Sequence, residues 1–280
     1  MTKIKKEAAK FTWSQLPRCR WNVVDLITIV ARPTVPAYLF CEINMQAAEA
    51  LKKRLDASGA KITVTAMLLK AISIAQLWHP QSRSIKLPWG KRITFPRPIA
   101  GFTVERLIGL QPAVFFGVLH DAHLKPLAQV AHELKAYSTN EISQVPQLQR
   151  ESLARHAPWL LRQFALWLAI RIPAVRQIVN PATFGLSTLG KFGLRTLMGP
   201  CVSTCIFGVG SAELRAVAID GAVQIQPMMT LSLSVDTHVL DMYSAARLLA
   251  DIKTIVESGL AGHLDEPSCA SRETTMAALR

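Results

Sequence analysis

The hydrophobic period changes several times along the chain, most sharply in its last third. Residues 205–209 are an unbroken apolar run, 214–219 and 222–225 alternate around Asp220-Gly221, and 229–235 alternates apolar with hydroxyl side chains. Asp-Gly between two alternating runs is the strongest short hairpin signal, because both turn positions must accept a positive φ. From Tyr243 the period becomes helical, with Ala246, Leu249, Ile252 and Val256 on one face. The pattern therefore predicts a hairpin that feeds a strand, a polar turn over 236–241, and a helix. Before it, 182–186 is a small apolar segment and 190–193 a turn.

Upstream, the same reading gives a helix over 21–30 stopped at Arg32-Pro33, a strand over 38–45, and a helix over 47–56 closed by Ser58-Gly59. The helix predicted over 64–77 is apolar nearly all round and so belongs inside. Residues 80–98 are basic and Pro-rich, which reads as a loop and a candidate wall for an anionic ligand. Residues 102–106 and 113–119 read as paired strands, 127–137 as an amphipathic helix and 138–151 as a polar connection. Within 155–179 an apolar run from Trp159 to Ile170 is punctuated by Arg162, followed by Arg171 and Arg176, and broken at Pro173. It falls far short of the roughly 20 residues that a bilayer span requires. Two readings stay open for it: a helix lying on an anionic membrane with Trp and Arg at the interface, or a helix that covers the sheet or packs on a neighbouring subunit.

Three motifs carry a family resemblance. They are Phe184-Gly185-Leu186-Ser187-Thr188-Leu189-Gly190, then Pro227-Met228-Met229-Thr230-Leu231-Ser232-Leu233-Ser234-Val235-Asp236, then Ala245-Ala246-Arg247-Leu248 after the turn. Together they resemble the catalytic core of the dihydrolipoyl acyltransferases of 2-oxo acid dehydrogenase complexes. The resemblance implies an α/β fold like that of chloramphenicol acetyltransferase, a two-layer sandwich of a mixed sheet with helices on one side. It also implies an acyl transfer from a coenzyme A or carrier-protein thioester to a thiol or hydroxyl, in a homotrimer with active sites between subunits. A weaker likeness extends to residues 35–44 and 117–136.

The turn departs from the family. Asp236, Val239 and Asp241 match without a gap, which puts Thr237 where the family has its catalytic His, His238 where it has Arg, and Met242 where it has Gly. A Thr hydroxyl is no base near neutral pH, whereas an imidazole is. Adjacent side chains on an extended segment point to opposite faces, so His238 replaces the base only if the turn is re-formed. Two outcomes follow: an acyltransferase whose base has moved to His238, or a pseudoenzyme, a scaffold trimer that keeps the fold. By the resemblance, Ser187 stabilises the tetrahedral oxyanion, Asp236 and Asp241 shape the turn, and Arg20, or failing that Arg18, pairs with Asp241. A lipoyl-type domain, an Ala/Pro hinge and a covalent lipoyl group are not read from the sequence, so coenzyme A or a carrier protein is the expected donor.

Composition limits the partners. Of 280 residues half are apolar and 18% charged, with a net charge of +13. A basic balance suits the phosphates of coenzyme A, an acidic acyl carrier protein or a membrane surface. Nucleic acid is not expected, because no zinc-finger spacing, Gly-rich RNA motif or basic stripe interleaved with aromatics is present. The Lys-rich first ten residues lead into no apolar segment and do not read as a secretory signal. Cys19, Cys41, Cys201, Cys205 and Cys269 are odd in number and scattered, which fits a reducing cytoplasm. Cys201 and Cys205 have loose metal-like spacing without a second pair, so burial is expected; His120-Asp121-Ala122-His123 also lacks the three or four ligands of a closed site. No metal is expected. The predicted organisation is a catalytic domain over 1–262 and a flexible tail over 263–280.

Overall fold

The computed structural model describes residues 20–108, 111–141, 144–154 and 156–263. Among them, six strands lie side by side in one mixed sheet, in the order β1 (Pro36–Asn44), β9 (Ala222–Asp236), β7 (Cys205–Val209), β6 (Phe184–Thr188), β4 (Ile99–Ile108) and β5 (Gln111–His120). A seventh, β8 (Glu213–Ile219), pairs with the first half of β9. β4, β6 and β7 run parallel, and the remaining pairs are antiparallel.

Alternation along β1 decides which face is covered: Ile43 is buried while Tyr38 and Phe40 are exposed. On the covered face, α2 (Gln46–Ala57), α3 (Val64–Trp78), α4 (Leu127–Thr139) and α8 (Met242–Glu257) share one apolar core with the strands. α3 lies deepest, buried from Ala66 through Gln76, as its all-round apolar sequence requires. Two of its polar side chains are satisfied there: Lys70 Nζ donates to the Lys125 carbonyl at 2.6 Å and Gln76 Nε2 to the Ser82 carbonyl at 3.1 Å. The expected mixed-sheet sandwich is thus what the chain forms.

The Asp220-Gly221 turn has φ values of 51° and 78°, the geometry that selects Asp-Gly in a two-residue hairpin. Beyond it, the expected hairpin strand and core strand are one continuous strand. β9 pairs with β8 as far as Met228, then with β1 from Met228 opposite Asn44 to Asp236 opposite Pro36. Pro227, the first residue of the Pro227–Asp236 motif, sits at the exchange point, where its carbonyl accepts from Met45 N at 2.8 Å.

Other expectations change. Residues 80–98 are not all loop, since β2 (Ser84–Lys86) and β3 (Arg92–Thr94) form a small ribbon. The connection after α4 contains α5 (Pro146–Ala154), held by Val145 and Leu148 buried against Ala113 and Phe115. Leu260 is fully buried, so the chain is still inside the core two residues before the predicted end of the domain at 262. Arg18, Cys19, Cys269 and nearly all of the predicted tail lie outside the described residues.

α1 (Trp21–Leu26) continues into a wider helical turn, Ile27–Ala31, and receives α6 (Trp159–Ala169), which is followed by α7 (Pro173–Val179). Arg162 Nε donates to Asp25 Oδ2 at 2.7 Å with both side chains largely buried, and the guanidinium lies 4.8 Å over the Trp21 ring. Leu26, Val30 and Leu166 close a small second core. One face of α6 is therefore internal, while Trp159, Leu160, Phe164 and Trp167 are exposed. No described helix is long and apolar enough to cross a membrane.

Candidate functional site

β9 delivers Asp236 to the turn and fixes it there, since its N–H donates to the Thr204 carbonyl at 3.0 Å. The turn closes on itself: the N–H groups of Val239 and Leu240 donate to the Asp236 carbonyl at 3.0 and 3.1 Å, and both side chains are buried. Asp241 then caps α8, accepting from Ser244 N at 2.9 Å and Ser244 Oγ at 2.8 Å. These two hydrogen bonds hold its carboxyl below the usual carboxylate range. The expected Arg20–Asp241 pair is not formed. Arg20 is exposed at the start of α1, and Asp241 is engaged by its own helix, as an N-cap aspartate is.

Thr237 and His238 take different partners. Thr237 is tied to the chain ahead of β1, its Oγ1 donating to the Val35 carbonyl at 2.8 Å and its N–H to the same oxygen at 3.0 Å. His238 turns back on Asp236, whose Oδ1 accepts from His238 N at 3.1 Å and lies 3.2 Å from Nδ1. In the tautomer that donates Nδ1–H to this carboxylate, Nε2 keeps its lone pair, which is the arrangement of an oriented proton acceptor. The Asp236 side chain is 13% exposed and the His238 side chain 35%, so the imidazole stands at a mouth and its orienter behind it.

That mouth belongs to a cavity of about 260 Å³. Asp236 and His238 form one wall, with Ser203 and Thr204 beside them. The basic Pro-rich segment supplies another through Lys86 and Leu87, and the α6–α7 pair brings Arg171 and Arg176. Arg176 is almost fully buried, and burial pushes its guanidinium down to about 10. In the sequence these arginines read as interruptions of an apolar run or as contacts at a membrane interface; an Arg inside such a run was the available signal.

Ser187 stands elsewhere. It lies on β6, its Oγ 3.1 Å from Thr103 Oγ1 on β4, and it does not line the cavity. In the ladder Ser187 faces Gly208, Gly208 faces Ser232, and Asp236 follows four residues later on β9. At roughly 3.4 Å per residue and 4.8 Å per strand, that is about 14 Å along and 10 Å across. Within one chain, then, Ser187 and the turn are far apart.

The candidate metal ligands do not converge, and among the described residues no group of three or more His, Cys, Asp or Glu could hold an ion. His120 is exposed, Asp121 pairs with Arg97 at 3.5 Å, and burial lowers the affinity of His123 for a proton. Cys201 and Cys205 are buried and free. Desolvation pushes the Cys201 thiol up to about 12 and Cys205 higher still, while Cys41 rises to about 11.

Residues 176–261 match the family model of the 2-oxoacid dehydrogenases acyltransferase catalytic domain. The dihydrolipoyllysine-residue succinyltransferase component of the 2-oxoglutarate dehydrogenase complex from Rickettsia bellii is 38% identical over 83 residues, 29% of this chain and 20% of that protein. A longer match, 28% identical over 218 residues, covers 74% of this chain and 34% of the dihydrolipoyllysine-residue acetyltransferase component of the pyruvate dehydrogenase complex from Pseudomonas aeruginosa. The chain thus spans from about a fifth to a third of these relatives. Among solved structures, Azotobacter vinelandii dihydrolipoamide acetyltransferase superposes with a TM-score of 0.68 at 20% identity, covering 92% of this chain and 96% of that one. A truncated catalytic core of the 2-oxoacid dehydrogenase multienzyme complex from Thermoplasma acidophilum gives 0.62 at 18% identity, over 90% and 100%. These two likenesses establish the fold.

Proposed function

We propose that this chain, which carries the 2-oxoacid dehydrogenase acyltransferase catalytic domain over residues 176–261, transfers an acyl group from a coenzyme A or carrier-protein thioester to a thiol or hydroxyl acceptor. The observation that carries the proposal is the Asp236–His238 pair at the mouth of the cavity. His238 Nε2 takes the proton of the acceptor, whose sulfur or oxygen attacks the thioester carbonyl carbon. The carbonyl oxygen becomes an oxyanion, to which the Ser187 hydroxyl donates. The intermediate then expels the donor thiolate, which receives the proton back from His238, and the acyl bond has moved with no net redox change. Asp236 keeps the imidazole oriented throughout, and Asp241 fixes the turn through α8.

Because Ser187 and the turn are separated within one chain, the working site takes Ser187 from one copy and the turn from the next. Tyr38, Phe40, Leu214, Val223 and Ile225, exposed on β1, β8 and β9, support such an assembly. A homotrimer closes it with identical contacts. The test is acyl exchange and thioester hydrolysis with short and medium acyl-coenzyme A donors. Turnover is expected to collapse in His238→Ala and Ser187→Ala; wild-type rates in both would end the proposal. The second reading, a scaffold with a retired site, rests on Thr237 at the family's His position. It predicts coenzyme A binding without turnover, and transferase activity created by Thr237→His.

A further inference from the structure

The most unusual group that the mechanism leaves unused is Arg176. It is 4% exposed, its Nε has no hydrogen-bond partner, and no carboxylate among the described residues pairs with it. A buried charge is normally paired, because taking a guanidinium out of water without an anion is unfavourable. α7 nevertheless holds Arg176 at a cavity that Arg171 and Lys86 also line. The carboxylate that lines the same cavity is Asp236, and its Oδ1 is engaged by His238. The rest of the lining that matters is aliphatic: Val30, Ile85, Leu87, Ile170 and Val202. At about 260 Å³ the space is smaller than the roughly 300–1,000 Å³ of drug-sized sites, so it suits a short group rather than a whole nucleotide.

We propose that this cavity is an anion subsite: Arg176 holds an oxyanion, a carboxylate or a phosphate, borne on a short apolar chain that lies against the aliphatic walls beside His238. Naming that anion as part of the acyl donor or acceptor rests on the acyl-transfer proposal; the binding itself does not. Guanidinium planarity favours a two-pronged contact with either oxyanion, and the positive lining draws the ligand in.

The test uses the full chain and thermal unfolding titrated with butyrate, its neutral isostere butyramide, and inorganic phosphate, beside Arg176→Met and Arg176→Lys. A ligand that binds only the folded chain raises the midpoint with concentration. Wild type is expected to be stabilised by butyrate or phosphate and not by butyramide. Arg176→Met should melt above ligand-free wild type, because a buried unpaired charge is gone, and should lose anion affinity at least about tenfold. Arg176→Lys should keep part of the response. Butyrate alone binding would place the anion on the acyl side, and phosphate alone on the coenzyme side. The proposal is overturned if neither anion shifts the midpoint, if butyramide does as well, or if Arg176→Met keeps the full response. A chain that binds butyrate through Arg176 yet turns over no thioester keeps the subsite and loses the acyl-transfer proposal, so the two failures are told apart.

Discussion

Mixing two variants that the acyl-transfer proposal makes inactive tests where the site is built. Ser187→Ala removes the hydroxyl on β6, and His238→Ala removes the imidazole just beyond the end of β9. Their separation in one chain, about 14 Å along the strands and 10 Å across, follows from the register Ser187–Gly208–Ser232 and the four residues to Asp236. The base and the oxyanion donor must each lie within roughly 3 Å of atoms of one reacting centre, so no rotamer closes that gap within a chain. If each site takes Ser187 from one copy and the turn from the next, co-refolding equal amounts of the two variants leaves each interface a one-half chance of an intact serine and a one-half chance of an intact turn. About a quarter of the sites are then whole, and activity should return to about a quarter of wild type in a closed cyclic oligomer. If both residues served one site within a chain, every site would carry a lesion and mixing would restore nothing. The assay is acyl exchange after denaturation and joint refolding, with each parent refolded alone as control. Activity no higher than the parents, from a mixture shown by mass to contain mixed oligomers, would refute the inter-subunit site.

Other perturbations test the scaffold behind the cavity. Arg162→Met leaves Asp25 buried without its cation and should cost about 3–5 kcal/mol in urea unfolding, while Asp25→Leu with Arg162→Met should recover most of it; a single variant as stable as wild type would mean that α6 is not anchored there. The Asp241 carboxyl is held below its ordinary value in the folded chain, so its contribution is present above the unfolded carboxylate pKa and is lost as pH falls through the folded one. Asp241→Ala should therefore melt below wild type at neutral pH and converge with it in acid. Cys201 and Cys205, protonated and buried, should resist alkylation at neutral pH until the chain unfolds, which peptide mass mapping can follow. The exposed Trp159, Phe164 and Trp167 of α6, with Arg171 3.9 Å over the Trp167 ring, predict cosedimentation with anionic vesicles at low salt if this face meets a membrane, and none if a second copy covers it.

What the sequence disclosed about this fold follows from the range over which each signal acts. The Asp220-Gly221 hairpin and most of the α8 face were legible because their causes are local, two positive φ values in one case and a repeat of apolar side chains in the other, although Ala245 and not Ala246 takes the buried position. The continuity of β9 was not, because 222–225 and 229–235 read as two runs until β8 and β1 are seen to exchange partners at Met228. α5 was missed for a related reason: its polar composition hides Leu148, whose burial depends on Phe115 of a strand about thirty residues earlier. At the turn, the ungapped match identified Thr237 and His238 as the departure but left the direction of the imidazole open. That direction comes from Asp236, two residues back, and from Val35, which takes the Thr237 hydroxyl. Arg20 failed as a partner because Asp241 already had one in Ser244, three residues ahead. Arg176 is the opposite case. In sequence it breaks an apolar run or faces a membrane interface, and α7 places it, 60 residues before Asp236, at the same cavity. A charge kept in an apolar segment, without a partner of its own, is best explained by what it waits to bind.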